Sequence, residues 1–79
     1  MQTPTVKRPV ERDRWLPREG NQYFIILGDG NIRPLRWHST PFDFDAWRFG
    51  NCFRWQKDAE QARNALKEVL LHFHTAYPS

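Results

Sequence analysis

The chain has 79 residues, enough for one domain and no more. Its formal net charge is +3, 15% of its residues are aromatic, and it has a single cysteine, Cys52. An intramolecular disulfide is therefore excluded, and so small a core must rely on large aromatic side chains or on self-association, which leaves a homodimer open.

Positive charge is concentrated near the N-terminus. Residues 1–18 carry five cationic and two acidic side chains, a balance of +3, whereas residues 19–79 carry seven of each. The first thirteen residues include two prolines and almost no large apolar side chains, so they cannot repay the entropy lost on ordering. We expect residues 1–13 to form a flexible basic arm and residues 14–79 to form one small ββ(β)α domain.

Two strands joined by a turn are predicted next. Residues 23–27 are a continuous run of aromatic and aliphatic side chains, which predicts a strand. Residues 28–31, with the sequence Gly-Asp-Gly-Asn, tolerate the positive φ angles of a hairpin turn. Residues 32–37 are interpreted as the return strand, and Pro34 indicates that this strand is an edge strand or is bulged.

The rest of the chain predicts a loop, a strand and a helix. Residues 38–47 are interpreted as a loop, because they contain Pro41 and an odd alternation of Phe and Asp. Residues 50–55 predict a third short strand, with the Asn51 side chain bonded back to the loop. Residues from about 57 to about 75 predict an amphipathic helix. Its apolar stripe consists of Ala59, Ala62, Leu66, Val69, Leu70 and Phe73.

These elements predict an α+β fold. The simplest assembly is a three-stranded antiparallel meander followed by one C-terminal amphipathic helix packed on one face of the sheet. We expect residues 66–73 to fill the deeper end of the core. The N-terminus lacks the apolar region of a signal peptide, and no apolar run reaches membrane-spanning length, so we expect a cytoplasmic protein without membrane contacts.

The sequence does not indicate an enzyme, a metal site or a cofactor. His38, Cys52, His72 and His74 are the only soft metal ligands, and their spacing matches no zinc motif. Cys52 lies inside a predicted strand with no base beside it, so it lacks the setting of a catalytic thiol. We therefore predict no catalytic residue and expect the protein to act by binding.

Aromatic and basic side chains are mixed between residues 33 and 55. Such mixtures stack nucleic-acid bases and also supply the anchors of protein interfaces. The mixture consists of Arg33, Arg36, Trp37, Trp47, Arg48, Arg54 and Trp55. The predicted partner-binding residues are Trp37, Phe42, Asp43, Phe44, Asp45, Trp47 and Arg48. For the acidic pair Asp43 and Asp45 two interpretations stay open, an acid–base or cation site and simple capping of the loop.

A scattered set of positions resembles a family of very small proteins common in phages and prophages. The positions span roughly residues 15–66 and comprise Trp15-x-Pro17-x-x-Gly20-x-x-Tyr23-x-Ile25, Gly30-x-Ile32, Trp37, an acidic loop, Arg48, Gly50-Asn51-x-Phe53, Ala59 and Ala62. Two features depart from the pattern. Trp55 stands where the family usually has a Thr or Ser helix cap, and the spacing from Arg48 to Gly50 is short.

Members of this family are mostly of unassigned function, and the resemblance implies an accessory role, such as handling host functions or blocking host defences. The leading hypothesis is a non-enzymatic interaction protein, such as an anti-CRISPR-like inhibitor, that masks a surface of a larger host protein or ribonucleoprotein complex. The alternative is a small nucleic-acid-binding accessory protein that uses its basic arm. In that case the contacts are made by Lys7, Arg8, Arg12 and Arg14.

Overall fold

A computed structural model of the chain describes residues 14–78. The predicted arm, with Lys7, Arg8 and Arg12, lies outside the described residues. The fold is α+β, a two-stranded antiparallel hairpin followed by two helices. In chain order the elements are β1 (Gln22–Ile26), β2 (Ile32–Arg36), α1 (Pro41–Phe49) and α2 (Gln56–Ala76). The predicted fold class is confirmed, but the predictions of a third strand and of a single helix are wrong.

The hairpin forms where its sequence predicts it. In its turn Gly30 has a φ of 88° and donates its N–H to the carbonyl of Leu27 at 2.9 Å, a conformation that glycine adopts without strain. Pro34 pairs with Phe24, whose backbone N–H and carbonyl bond instead to Phe53 on the other side of β1. Pro34 therefore sits at a position where the β1–β2 ladder needs no donor, which explains a proline inside a strand.

The predicted third strand is reduced to one bridge. Phe53 exchanges two backbone hydrogen bonds with Phe24, at 2.8 and 2.9 Å. At the next pairing position the side chain of Asn51 replaces a peptide group, because it accepts from the Ile26 N–H at 2.7 Å and donates to the Ile26 carbonyl at 3.0 Å. The Asn51 side chain thus binds the edge of β1. The prediction that it bonds back to its own loop is wrong. Pairing stops there because α2 begins at Gln56.

Most of the predicted loop at residues 38–47 is helix α1. Thr40 and Asp43 form a capping box, in which each side chain accepts the backbone N–H of the other residue at 3.1 Å. Pro41 occupies the first turn, where a missing N–H costs nothing. Gly50 ends the helix in the left-handed conformation, with a φ of 97°. Pro41, which was assigned to a loop, therefore lies at the start of a helix.

The core lies between the hairpin and α1. Tyr23, Ile25 and Trp37 are buried, and the Trp37 ring meets those of Tyr23 and Phe44 edge to face, with centroids 5.6 and 5.0 Å apart. Edge-to-face contacts of this kind add to the hydrophobic gain from the buried area. The partly buried side chains that pack against this core are Trp15, Leu27, Leu35, Phe44, Ala46, Trp47 and Cys52.

Helix α2 contacts both strands, and its buried and partly buried residues all lie in its first half. Ala59 is completely buried, and the Arg63 guanidinium donates to the Gly30 carbonyl at 2.6 Å. Every described residue from Asn64 onward is exposed. The prediction that residues 66–73 fill the core is wrong, because five-residue strands span roughly 17 Å whereas a helix of 21 residues spans about 31 Å. Within residues 14–78, no helix is long and apolar enough to cross a membrane.

Candidate functional site

Asp43, a predicted partner-binding residue, is a buried structural group. One carboxylate oxygen accepts from the Tyr23 hydroxyl, and the other accepts from the N–H groups of His38 at 2.8 Å and Thr40 at 3.1 Å. Burial by itself would raise the pKa of Asp43, but these hydrogen bonds outweigh it and lower the pKa to about 2. Burial, together with the bond to Asp43, raises the pKa of Tyr23.

The Asp43 carboxylate is therefore ionised, saturated with donors and only 4% exposed. Of the two interpretations of the acidic pair, capping holds for Asp43. Asp45 instead forms an exposed ion pair with Arg48 at 2.9 Å. Exposed pairs of this kind contribute about 1 kcal/mol or less.

The predicted aromatic partner residues do not share one surface. Trp37 is 2% exposed and belongs to the core, which corrects its assignment as a partner-binding residue. Phe44 is partly buried against Trp37. Phe42 is 57% exposed and borders a groove of about 470 Å³ beside Ile25 and Leu35. The Arg48 guanidinium lies 5.9 Å from the Phe44 ring, at the edge of cation–π range. Trp47 lies next to a larger group of aromatic and basic side chains.

Three tryptophans and two arginines meet on one side of the domain, and we call them the Trp–Arg cluster. Trp47 donates its indole N–H to the Trp15 carbonyl at 2.8 Å. The Arg14 guanidinium lies 4.2 Å from the centre of the Trp47 ring and donates to the Trp47 carbonyl. The Arg54 guanidinium lies 5.0 Å from the Trp55 ring and 5.7 Å from the Trp15 ring. These contacts are within cation–π range.

The cluster draws on three separate parts of the chain. Arg14 and Trp15 precede β1, Trp47 is in the last turns of α1, and Arg54 and Trp55 directly precede α2. The structure therefore places Arg14 against the folded domain, whereas the nucleic-acid hypothesis had assigned it to the basic arm. Sequence reasoning grouped Trp47, Arg54 and Trp55 only loosely, and it missed their contact with Arg14 and Trp15. The Arg-Trp dipeptides at 14–15 and 54–55 are no specific signal of this pairing, because the same dipeptide occurs at 36–37, where Trp37 belongs to the core.

The cluster carries positive charge that no ion pair within residues 14–78 neutralises. Among the described residues, no carboxylate lies within 4.0 Å of Arg14 or Arg54. Trp55 is 58% exposed. It is the N-cap residue of α2, and its side chain makes no capping hydrogen bond. The arrangement offers flat apolar surface beside two guanidinium groups, which suits acidic and aromatic ligands.

The one thiol is not set up for nucleophilic chemistry. Burial raises the pKa of Cys52 to about 11, although the nearby charge of Arg14 opposes that shift. Cys52 is therefore a protonated thiol at neutral pH. Within residues 14–78, no three His, Cys, Asp or Glu side chains are grouped so as to hold a metal ion.

Comparisons of the chain with protein-family models, with curated proteins and with solved structures found no match.

Proposed function

We propose that the protein is a non-enzymatic interaction protein that binds an acidic surface of a larger protein through its Trp–Arg cluster. The observation that carries the proposal is the pair of guanidinium groups, Arg14 and Arg54, held on tryptophan rings with no carboxylate of residues 14–78 paired to either. The resemblance to small phage and prophage proteins suggests the class of partner. It is a host protein or ribonucleoprotein complex, such as a defence complex, whose surface the protein masks.

The composition of the cluster supports binding to a protein. Tryptophan and arginine are the residues most enriched among the anchors of protein interfaces, where a few side chains supply most of the binding energy. The rings already restrain the two guanidinium groups, so that less side-chain entropy is lost when a partner binds. Uncompensated positive charge favours a partner with carboxylates at the matching positions.

A nucleic-acid partner is the second candidate, and the same contacts favour it. Tryptophan rings stack on bases and arginines hold phosphates, so a cluster of both suits a single strand. Lys7, Arg8 and Arg12 would add phosphate contacts. The two candidates differ in salt dependence, because each neutralised phosphate releases counterions and makes binding fall steeply with salt.

The test compares variants of exposed aromatic residues. The tagged protein is used to capture partners from host lysate, with and without nuclease, and affinity for the captured partner is then measured at two salt concentrations. We expect Trp55→Ala to weaken binding by about 2 kcal/mol, roughly thirtyfold, with weak salt dependence. Arg54→Ala should weaken it as well. Phe49→Ala is the matched control, because Phe49 is 87% exposed and lies outside the cluster.

Circular dichroism must first show that each variant is folded. The proposal fails if Trp55→Ala and Arg54→Ala bind as tightly as Phe49→Ala. Capture that disappears after nuclease treatment, with a steep salt slope for a fluorescent single-stranded oligonucleotide, would instead establish the second candidate. In that case changing Lys7, Arg8 and Arg12 to Ala should reduce the slope.

A further inference from the structure

The second half of α2 presents an apolar stripe to solvent. Leu66, Leu70, Phe73 and Tyr77 follow one another at steps of four, three and four residues. The first three therefore lie on one face of the helix, and Tyr77 extends that face as the C-terminal cap residue. Their exposed fractions are 44%, 54%, 53% and 65%, and Val69 beside them is 64% exposed. Large apolar residues at helical spacing normally face a core or a partner. Nothing within residues 14–78 covers this stripe.

A groove extends the stripe toward the sheet. Leu66 and Leu70 form one wall, and Ile26, Leu27 and the hairpin turn form the other, enclosing about 560 Å³. The groove and the stripe are continuous, since both contain Leu66 and Leu70. An occupant therefore needs the length of the stripe and a bulky apolar end for the groove.

We infer that the occupant is a second copy of this chain, paired through α2 in antiparallel orientation. The spacing of the stripe is the same in both directions, so a two-fold axis sets Leu66 against Tyr77 and Leu70 against Phe73 at both ends. Each level then combines a leucine with an aromatic ring. The Phe73 and Tyr77 rings of one copy already pack together, with centroids 4.8 Å apart. This pair forms the bulky end that enters the groove of the other copy.

The position of the sheet decides between the two orientations. Ala59 lies two turns before Leu66, on the same face of α2, and is completely buried where the helix meets the hairpin. In a parallel pair the two hairpins would occupy the same space. In the antiparallel pair the C-terminal turn of each helix ends beside the other copy's hairpin, opposite Arg63 and Asn64.

The area is sufficient for a dimer. A side chain of about 200 Å² that is half exposed contributes roughly 100 Å². The stripe with Val69 then contributes roughly 500 Å² per copy, and the pair buries about 1,000 Å², which is the lower limit for a specific interface. We therefore expect a reversible dimer that dissociates on dilution.

Analytical ultracentrifugation of the full chain over a range of concentrations tests the inference. We expect a monomer–dimer equilibrium for the wild type, and monomers at all concentrations for Leu70→Glu and Phe73→Glu. Thr75→Glu is the matched control: it adds the same charge to an exposed residue on the opposite face of α2 and should leave the dimer intact. Circular dichroism shows whether each variant keeps its helices. A wild type that stays monomeric at every concentration, or glutamate variants that remain dimeric, would overturn the inference.

Cross-linking tests the orientation. Chains carrying Leu66→Cys and chains carrying Tyr77→Cys are mixed and oxidised, and the disulfides are mapped by mass spectrometry. We expect a disulfide between residues 66 and 77 of different chains. A disulfide joining residue 66 to residue 66 would contradict the antiparallel arrangement. The dimer variants lie outside the Trp–Arg cluster, so a monomeric Phe73→Glu chain should still bind the partner through that cluster, and either proposal can fail without the other.

Discussion

The two helices are held in different ways. Helix α1 has nine residues, a capping box at its start, a left-handed glycine at its end and a buried aspartate that ties it to Tyr23. Helix α2 has 21 residues, no side-chain cap at Trp55 and an apolar second half that no described residue covers. The short helix is thus integrated into the core, whereas the long helix is anchored by its first two turns and projects. The length of a helix is therefore a poor guide to its contribution to the stability of the fold.

An aspartate substitution should destabilise the fold strongly in the first half of α2 and hardly at all in the second half. Ala59→Asp buries a charge without a partner, and we expect it to destabilise the fold by about 4 kcal/mol. Val69→Asp adds the same side chain where the helix is exposed, and we expect a change of about 0.5 kcal/mol or less. Urea denaturation at low protein concentration, where the chain is monomeric, measures both. Similar losses at the two sites would show that the second half is packed after all.

The two aspartates of α1 should also differ in their contribution to stability. Asp43→Ala leaves the Tyr23 hydroxyl and two backbone N–H groups without their acceptor, so we expect a loss of about 3 kcal/mol. Asp45→Ala removes only an exposed ion pair with Arg48 and should cost about 0.5 kcal/mol. Thermal melts of both variants provide the measurement. Equal melting temperatures would mean that the Asp43 network does not anchor α1.

Acid should destabilise the fold by protonating the Asp43 carboxylate, which ties α1 to Tyr23. The pKa of Asp43 is about 2 in the folded chain and 3.8 ordinarily, so its stabilisation is complete above pH 3.8 and is lost as the pH falls toward 2. The shift corresponds to about 2 kcal/mol. Urea midpoints between pH 6 and pH 2 should show this loss in the wild type. Asp43→Asn is the control, since it has no carboxyl group to titrate, and an equal loss there would assign the pH dependence to other residues.

Local signals account for what sequence reasoning predicted correctly. The hairpin, its turn and the long helix follow from side-chain periodicity and turn residues, which act over a few neighbouring positions. The missing cap at Trp55 was also visible. Helix α1 was missed although its signal is local, because the Thr-x-x-Asp box carries Asp where Glu or Gln is usual and because Pro41 and the alternation of Phe and Asp were interpreted as a loop.

Sequence by itself thus determined the fold class, both strands and the existence of α2. Tertiary structure decided how much of α2 is covered, because periodicity defines a helix face but not the length of the sheet beneath it. It also decided that Asn51 pairs with β1 as a strand would, and that Arg14 and Trp15 meet Trp47 and Arg54. These contacts join residues about 25 to 40 positions apart, and such distant contacts depend on packing of the whole chain, which no local pattern encodes.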